Sequence, residues 1–339
     1  MYSKQLNKVE IIAEIGVNHN GKLSHAKKLI LKAKKVGADY VKFQYFKAEN
    51  IVSDYCVAAS YQKKNTDKNI KQFDLLKKLE LSKKQLIYLK KFSKKNKIKF
   101  MCSVFYEDDI GFVSSISDKY IKIPSGELTN IFLLRKLKNI KKTIILSTGA
   151  SKISEIIKII KFLKKKMNKN KKNLILMHCV TSYPVHIQNL NLNIIKKLKK
   201  ITNLNVGFSD HSNSTISGAI SYLLGARIIE KHLTLDNHDI GPDHKSSLNP
   251  DNFKKFVGAI RDAEKMIGKN FKTMTRDELS NKKLVRKYIV AKKKIKINEK
   301  FSFSNLKSMR TGKGNGVLNI FKIINKKSKK NYNKNEIVL

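Results

Sequence analysis

Two lysines, Lys42 and Lys122, interrupt short apolar runs at residues 40–44 and 120–123. An ammonium taken out of water is costly, and two of them repel, unless an anion lies between them. Hydroxyls recur at the ends of similar runs, at Ser103, Ser125, Ser147 and Ser209, so the set reads as a cradle for phosphate or carboxylate. The competing arrangement is a lysine that snorkels outward or pairs with Glu14 or Glu127. His211 and His232 follow adjacent runs, and neutral imidazoles converging there suit a borderline divalent metal with open positions. Without a third ligand they suit two satisfied interior histidines as well. Glu230 stands two residues before His232 and shares its face if the run is a strand. In the segment 241–250, GPDHKSSLNP, turn formers precede Asp243, a carboxylate suited to sugar hydroxyls.

Positioning these groups requires a scaffold with many strand ends at one place. Eight near-continuous apolar runs, at 9–15, 40–44, 98–102, 120–123, 143–147, 173–178, 205–208 and 227–231, read as strands covered on both faces. Segments of helical period separate them. In 24–36, Ala26, Leu29, Ala33 and Val36 share one face and Gly37 supplies a stop; in 151–166, Ile153, Ile156, Ile157, Ile160 and Leu163 form a stripe behind Ser151 as the expected cap. Asn249-Pro250 marks another helix start. This alternation predicts a (β/α)8 TIM barrel in preference to a doubly wound open sheet, with chemistry at the C-terminal strand ends. Each run ends in a polar group of catalytic type, including Glu14, Gln44, Ser103, Lys122, Ser147, Ser209 and Glu230. The rhythm predicts a barrel domain over 1–268, a polar linker over 269–287 and a small β-rich module over 288–339.

Composition narrows the class. The 339 residues carry 72 Lys or Arg against 26 Asp or Glu, a formal charge of +46. Only six of the basic residues are arginines, and the lysines are spread along the whole chain. That pattern reads as a solvated lysine coat rather than a specific nucleic-acid surface. A basic RNA-binding protein on a barrel scaffold is the different-class alternative, and it lacks aromatic–arginine recognition segments. No stretch nears ~18 uncharged apolar residues, so membrane insertion is not expected. Residues 1–10 have no apolar signal core, and Cys56, Cys102 and Cys179 are too scattered for a disulfide framework or zinc ribbon. A cytoplasmic enzyme is the expectation.

The motifs at the strand ends are more specific than their composition. IIAEIGVNHNG at 11–21, GADYVKFQ at 37–44, SGE at 125–127, ILSTG at 145–149, GFSDHS at 207–212, EKHLTLD at 230–236 and GPDHKSSLNP at 241–250 occur in order. With them the chain resembles the sialic acid synthase family, often called the NeuB family, from Ile11 to about Leu339. The resemblance implies condensation of phosphoenolpyruvate with an N-acetylated hexose, N-acetylmannosamine or a relative, to a nine-carbon 2-keto acid. The alternative acceptor is a 2,4-diacetamido-hexose, as in legionaminic or pseudaminic acid synthases. It further implies that Lys42, Gln44, Ser103, Lys122, Ser125, Ser147 and Ser209 hold phosphoenolpyruvate, and that Glu127, Tyr183 and Asp243 contact the sugar. Glu14 would act at the developing positive carbon, with Glu230 a second candidate for proton transfer. His211 and His232 would hold a divalent ion, manganese before magnesium or cobalt. The C-terminal module resembles the antifreeze-like (SAF, β-clip) domain, whose arginine, here Arg310, would enter a partner's barrel in a domain-swapped homodimer. The relatives' Arg-Pro-Gly is Arg310-Thr311-Gly312 here, which removes a φ constraint from that loop.

Overall fold

The computed structural model describes residues 8–53, 55–66, 70–168, 172–268 and 270–338. They divide into two compact units, Met1–Gly268 and Lys269–Leu339.

The first unit is a closed barrel of eight strands: β1 (Glu10–Gly16), β2 (Tyr40–Tyr45), β3 (Lys99–Val104), β4 (Tyr120–Ile123), β5 (Thr143–Ser147), β6 (Leu174–His178), β7 (Asn205–Asp210) and β8 (Ile228–His232). All neighbouring pairs are parallel, and β8 closes on β1. Alternate residues point into the barrel. One interior layer is a separate apolar cluster of Ile12, Tyr40, Met101, Tyr120, Ile145, Met177 and Ile228. Moving two residues along from members of this layer reaches Glu14, Lys42, Ser103, Lys122, Ser147 and Glu230 in turn. The period-2 geometry of the strands therefore places the chemistry-bearing residues in one ring above an apolar plug.

The other face of each strand packs under helices into the main core, which takes in Ile11, Ala13, Val41, Phe43, Phe100, Cys102, Leu146 and Phe208. Helix Leu23–Lys35 buries Ala26, Leu29, Ile30 and Ala33, and Gly37 follows at φ +90°. Helix Ile153–Met167 begins one residue later than expected: Lys152 occupies the cap position, with its N–H donating to Glu155 Oε2 at 2.7 Å, while Ser151 Oγ donates to the Gly149 carbonyl. Asn249 caps helix Pro250–Met266, accepting from Asn252 N–H.

Between β2 and helix Lys83–Lys95 lie three further helices, Ala48–Ile51, Ser60–Asn65 and Gln72–Leu79. Val17, Phe46, Leu75 and Leu79 form a small core of their own there.

In the second unit, helix Arg276–Val285 occupies much of the segment expected as a linker, with Thr275 Oγ1 accepting from Glu278 N–H. Beyond it β9 (Tyr288–Ala291) pairs antiparallel with β10 (Leu306–Met309) over a core of Ile289, Ala291, Ile295, Phe301, Leu306, Tyr332 and Val338. Isolated bridges such as Val290–Ile337 and Ile295–Tyr332 extend the β pairing. Among the described residues no helix is long and apolar enough to cross a membrane.

Candidate active site

Apart from Arg310, every candidate catalytic, substrate-binding or metal-ligating residue read from the sequence lines one cavity of about 350 Å³. Register explains the convergence. Glu14 aligns with Lys42 on one side and His232 on the other, Gln44 with Ser103, Ser103 with Lys122, and Ser209 with Glu230. Arg310 lies in the second unit, exposed, directly after β10.

The cavity floor is a charge network. Lys42 Nζ lies 3.0 Å from Glu14 Oε1 and 3.5 Å from Glu230 Oε2, and donates to Ser103 Oγ at 3.0 Å. Lys122 Nζ donates to both Glu230 oxygens at 2.9 Å. Ser209 Oγ donates to Glu230 Oε1 at 2.9 Å, and Gln44 Nε2 to Glu14 Oε1 at 2.9 Å. The lysines thus face one another across carboxylates, and their partners are Glu14 and Glu230 rather than Glu127. Within this network two ammoniums balance two carboxylates, and the ion pairs hold the lysine donors in place. Glu14 Oε2 is buried without a hydrogen-bond partner.

Burial opposes ionisation of Glu230, but Lys122, Lys42 and the Ser209 hydroxyl outweigh it and hold the carboxyl well below its usual range. A carboxylate held so firmly ionised suits orienting the lysines better than donating a proton. For Glu14 burial prevails with help from Glu230, and its pKa is raised despite Lys42 and Gln44. Lys122 is lowered, chiefly by burial, whereas at Lys42 the charges of Glu14 and Glu230 overcome burial and raise it.

The histidines stand on the wall beside this floor. His211 Nδ1 is 2.7 Å from the Val180 carbonyl, which fixes the proton on Nδ1 and turns Nε2 toward Ser209 Oγ and the Tyr183 hydroxyl, each at 3.3 Å. The two imidazoles are 5.4 Å apart. Burial lowers His211 to about 4 and His232 well below its usual value, so both are neutral at pH 7. Asp243 Oδ2 is 3.7 Å from His232 Nδ1, and burial pushes its carboxyl up to about 7. Glu127 Oε2 accepts from Asn130 Nδ2 at 2.6 Å, and Ser125 Oγ is 3.4 Å from Thr181 Oγ1.

Two glycines permit these approaches. Gly16 has φ +53° beside the β1 register shift, and a Cβ there would lie 3.1 Å from Glu14 Oε1. A Cβ on Gly149 would lie 2.3 Å from Thr181 Oγ1, so only glycine lets the β5 and β6 loops meet.

A family model described as the NeuB family matches residues 29–272. The chain is 40% identical to N,N'-diacetyllegionaminic acid synthase of Campylobacter jejuni, over 98% of its own length and 99% of that protein. The chain belongs to the NeuB family. It is also 34% identical to N-acetylneuraminate-9-phosphate synthase of Drosophila melanogaster, over 76% of this chain and 68% of that protein. Among solved structures, N-acetylneuraminic acid (sialic acid) synthetase of Leptospira borgpetersenii matches with a TM-score of 0.69 at 31% identity, covering 81% of this chain and 90% of that one.

NeuB-family synthases depend on a metal, and the residues here fit one. His232 Nδ1 is a buried nitrogen without a hydrogen-bond partner, and the His211 lone pair turns inward beside it. Among the described residues no group of three or more His, Cys, Asp or Glu could hold a metal ion, so the fit rests on His211 and His232 alone.

Three features of this NeuB-family site are absent from the sequence reading. Tyr61 stacks on Tyr183 at 5.1 Å, and Tyr183 on His211 at 4.2 Å, so an aromatic column braces the histidine. Gln62, Gln72 and Leu76 also line the cavity, from the helices after β2. The available signal was length: about forty residues between β2 and the next long helix exceed an ordinary βα connection. Lys231, fully buried on the outer face of β8, donates to Asp210 Oδ2 at 2.7 Å and to the Ser212 carbonyl at 2.5 Å, pinning the loop that carries His211.

Proposed function

We propose that this NeuB-family enzyme joins carbon 3 of phosphoenolpyruvate to the aldehyde carbon of an open-chain 2,4-diacetamido-hexose, forming a nine-carbon 2-keto acid of the legionaminic type. The single observation that carries the reaction is the ring of Glu14, Lys42, Ser103, Lys122, Ser147, Ser209 and Glu230 about one cavity. N-acetylmannosamine, the acceptor first expected from the sequence, gives way to the diacetamido alternative. The legionaminic relative matches at higher identity and over nearly the full length of both chains, unlike the N-acetylneuraminate-9-phosphate synthase.

Lys42, Lys122 and the serine hydroxyls bind the phosphate and carboxylate of phosphoenolpyruvate. Attack of its carbon 3 on the aldehyde leaves an alkoxide on the acceptor and positive charge at carbon 2. Glu14, through its unpartnered Oε2, stabilises that charge and directs water to it. The proton lost by water balances the one gained by the alkoxide, and phosphate then leaves by C–O cleavage. His211 and His232 would hold a divalent ion, manganese being the proposed one, which supplies Lewis acidity toward the aldehyde oxygen. Glu127, Tyr183 and Asp243 orient the sugar. Arg310 on an antifreeze-like module, reaching a partner subunit's barrel in a homodimer, and a cytoplasmic setting complete the reading.

Phosphate release with each acceptor tests the reaction: 2,4-diacetamido-hexose should be consumed with a kcat/KM at least ~10-fold above that of N-acetylmannosamine. The reverse order would return the enzyme to the sialic acid branch. Treatment with EDTA should abolish turnover and manganese should restore it, while full activity after chelation would leave the histidines as interior residues only.

A further inference from the structure

The cavity has two chemically different ends. Its floor is ionic, as described. Its outer wall is apolar, lined by Phe46, Phe105, Ile51 and Leu76, with the Val17–Phe46–Leu75–Leu79 core packed against it. Ile51 and Leu76 come from the helices that follow β2, and so does the wall's polar content, Gln62 and Gln72. Gln72 Oε1 accepts from Cys56 Sγ at 2.7 Å, and Gln62 Oε1 from Ala59 N–H at 2.9 Å. What each side chain then offers a ligand is its donating amide nitrogen.

Such a wall serves neither phosphoenolpyruvate nor a bare polyol. A sugar hydroxyl against Leu76 and Phe105 would lose its water without full replacement. An acetamido group fits instead: its methyl takes apolar contact and its carbonyl accepts from an amide N–H. The acetamido at carbon 2 adjoins the reacting aldehyde carbon and so would lie near the histidines in the proposed reaction, whereas the group at carbon 4 would lie farther from them. The helices after β2 are fixed relative to the cavity. Asn65 Nδ2 donates to the Pro242 carbonyl at 3.0 Å, beside Asp243, and Tyr61 stacks on Tyr183.

We propose that helix Gln72–Leu79, together with Phe105 at the end of β3, forms a subsite for the carbon-4 acetamido group, with Leu76 and Phe105 against its methyl and Gln72 donating to its carbonyl. The inference rests on the diacetamido reading of the acceptor given under Proposed function. It makes this helix, with the end of β3, the part of the chain that chooses between acceptors.

The test compares kcat/KM for 2,4-diacetamido-hexose and for N-acetylmannosamine in the metal-loaded wild type, Leu76→Asn and Gln72→Leu. Each variant should lower the ratio of the two values by about 10-fold. Phosphoenolpyruvate binding by calorimetry and the thermal midpoint report whether a variant is folded. A ratio unchanged in both folded variants overturns the subsite while leaving the reaction standing. Wild-type enzyme that turns over N-acetylmannosamine alone overturns the subsite and the acceptor assignment. Turnover of neither acceptor overturns the proposed function itself. Were Leu76→Asn to misfold, Gln72→Leu on the same partly exposed helix face decides the matter alone.

Discussion

Glu14→Gln should lower kcat by roughly 10³-fold, equivalent to about 4 kcal/mol of transition-state stabilisation, with phosphoenolpyruvate bound at least as tightly as by the wild type. The amide keeps the shape of the side chain and can still accept from Gln44, so packing is conserved. What disappears is a buried negative charge, one of whose oxygens has no hydrogen-bond partner. Ground-state phosphoenolpyruvate is an anion, and removing a nearby carboxylate relieves repulsion toward it. The transition state instead carries positive charge at carbon 2, which the carboxylate alone can meet. Opposite effects on binding and turnover therefore separate this role from simple site damage. Pre-steady-state phosphate release together with a phosphoenolpyruvate titration reads both. Equal losses in affinity and turnover, or near-normal kcat, would remove Glu14 from the chemical step. Burial raises the Glu14 pKa, so its charge is lost as pH falls through a value above the usual glutamate range. The acid limb of the wild-type pH profile should lie correspondingly high and be missing in Glu14→Gln.

The legibility of this site in the sequence follows from strand geometry. A residue such as Lys122 within YIKI has only two faces available, and an ammonium among apolar neighbours marks the interior of a parallel strand. The same logic places Lys42, Glu14 and Glu230, and their ring assembles once eight strands close. Partners across the ring are another matter. That Glu230 lies beneath both lysines depends on the stagger of β8 against β1 and β7, which no local pattern encodes. Tyr61 and Leu76 were illegible for a different reason. Leu76 lies on a short helix packed against Val17 and Phe46, distant in sequence, and Tyr61 reaches the site by stacking on Tyr183, so neither belongs to a long amphipathic stripe. Lys231 looks like one more surface lysine beside Glu230 until its outward face is seen to be covered by the Phe256 ring. The charge of +46 misleads in the same way, since the lysines that matter are those the fold removes from water.

Lys122→Met should reduce phosphoenolpyruvate affinity by about two orders of magnitude and also lower folding stability by about 3 kcal/mol, and the two effects should be separable. Lys122 is nearly inaccessible and is the nearer of the two lysine partners of Glu230, at 2.9 Å against 3.5 Å for Lys42. Replacing it with an apolar chain strands a buried carboxylate on Ser209 and the more distant Lys42. That uncompensated charge, rather than a lost contact area, dominates the destabilisation. Adding Glu230→Gln removes the stranded charge, so the double variant should recover most of the stability measured by denaturant unfolding. It should recover none of the affinity, because the ammonium that meets the substrate anion is still missing. A strictly structural Lys122 would behave otherwise: restored stability would bring restored binding. A purely substrate-binding Lys122 would leave the single variant as stable as the wild type, and either result would break the coupling between the resting ion pair and the anion cradle. Glu230 occupies the donors that, on the proposed function, phosphoenolpyruvate must share. On that reading, the same carboxylate that makes two buried ammoniums tolerable also holds them in place for the substrate's charge.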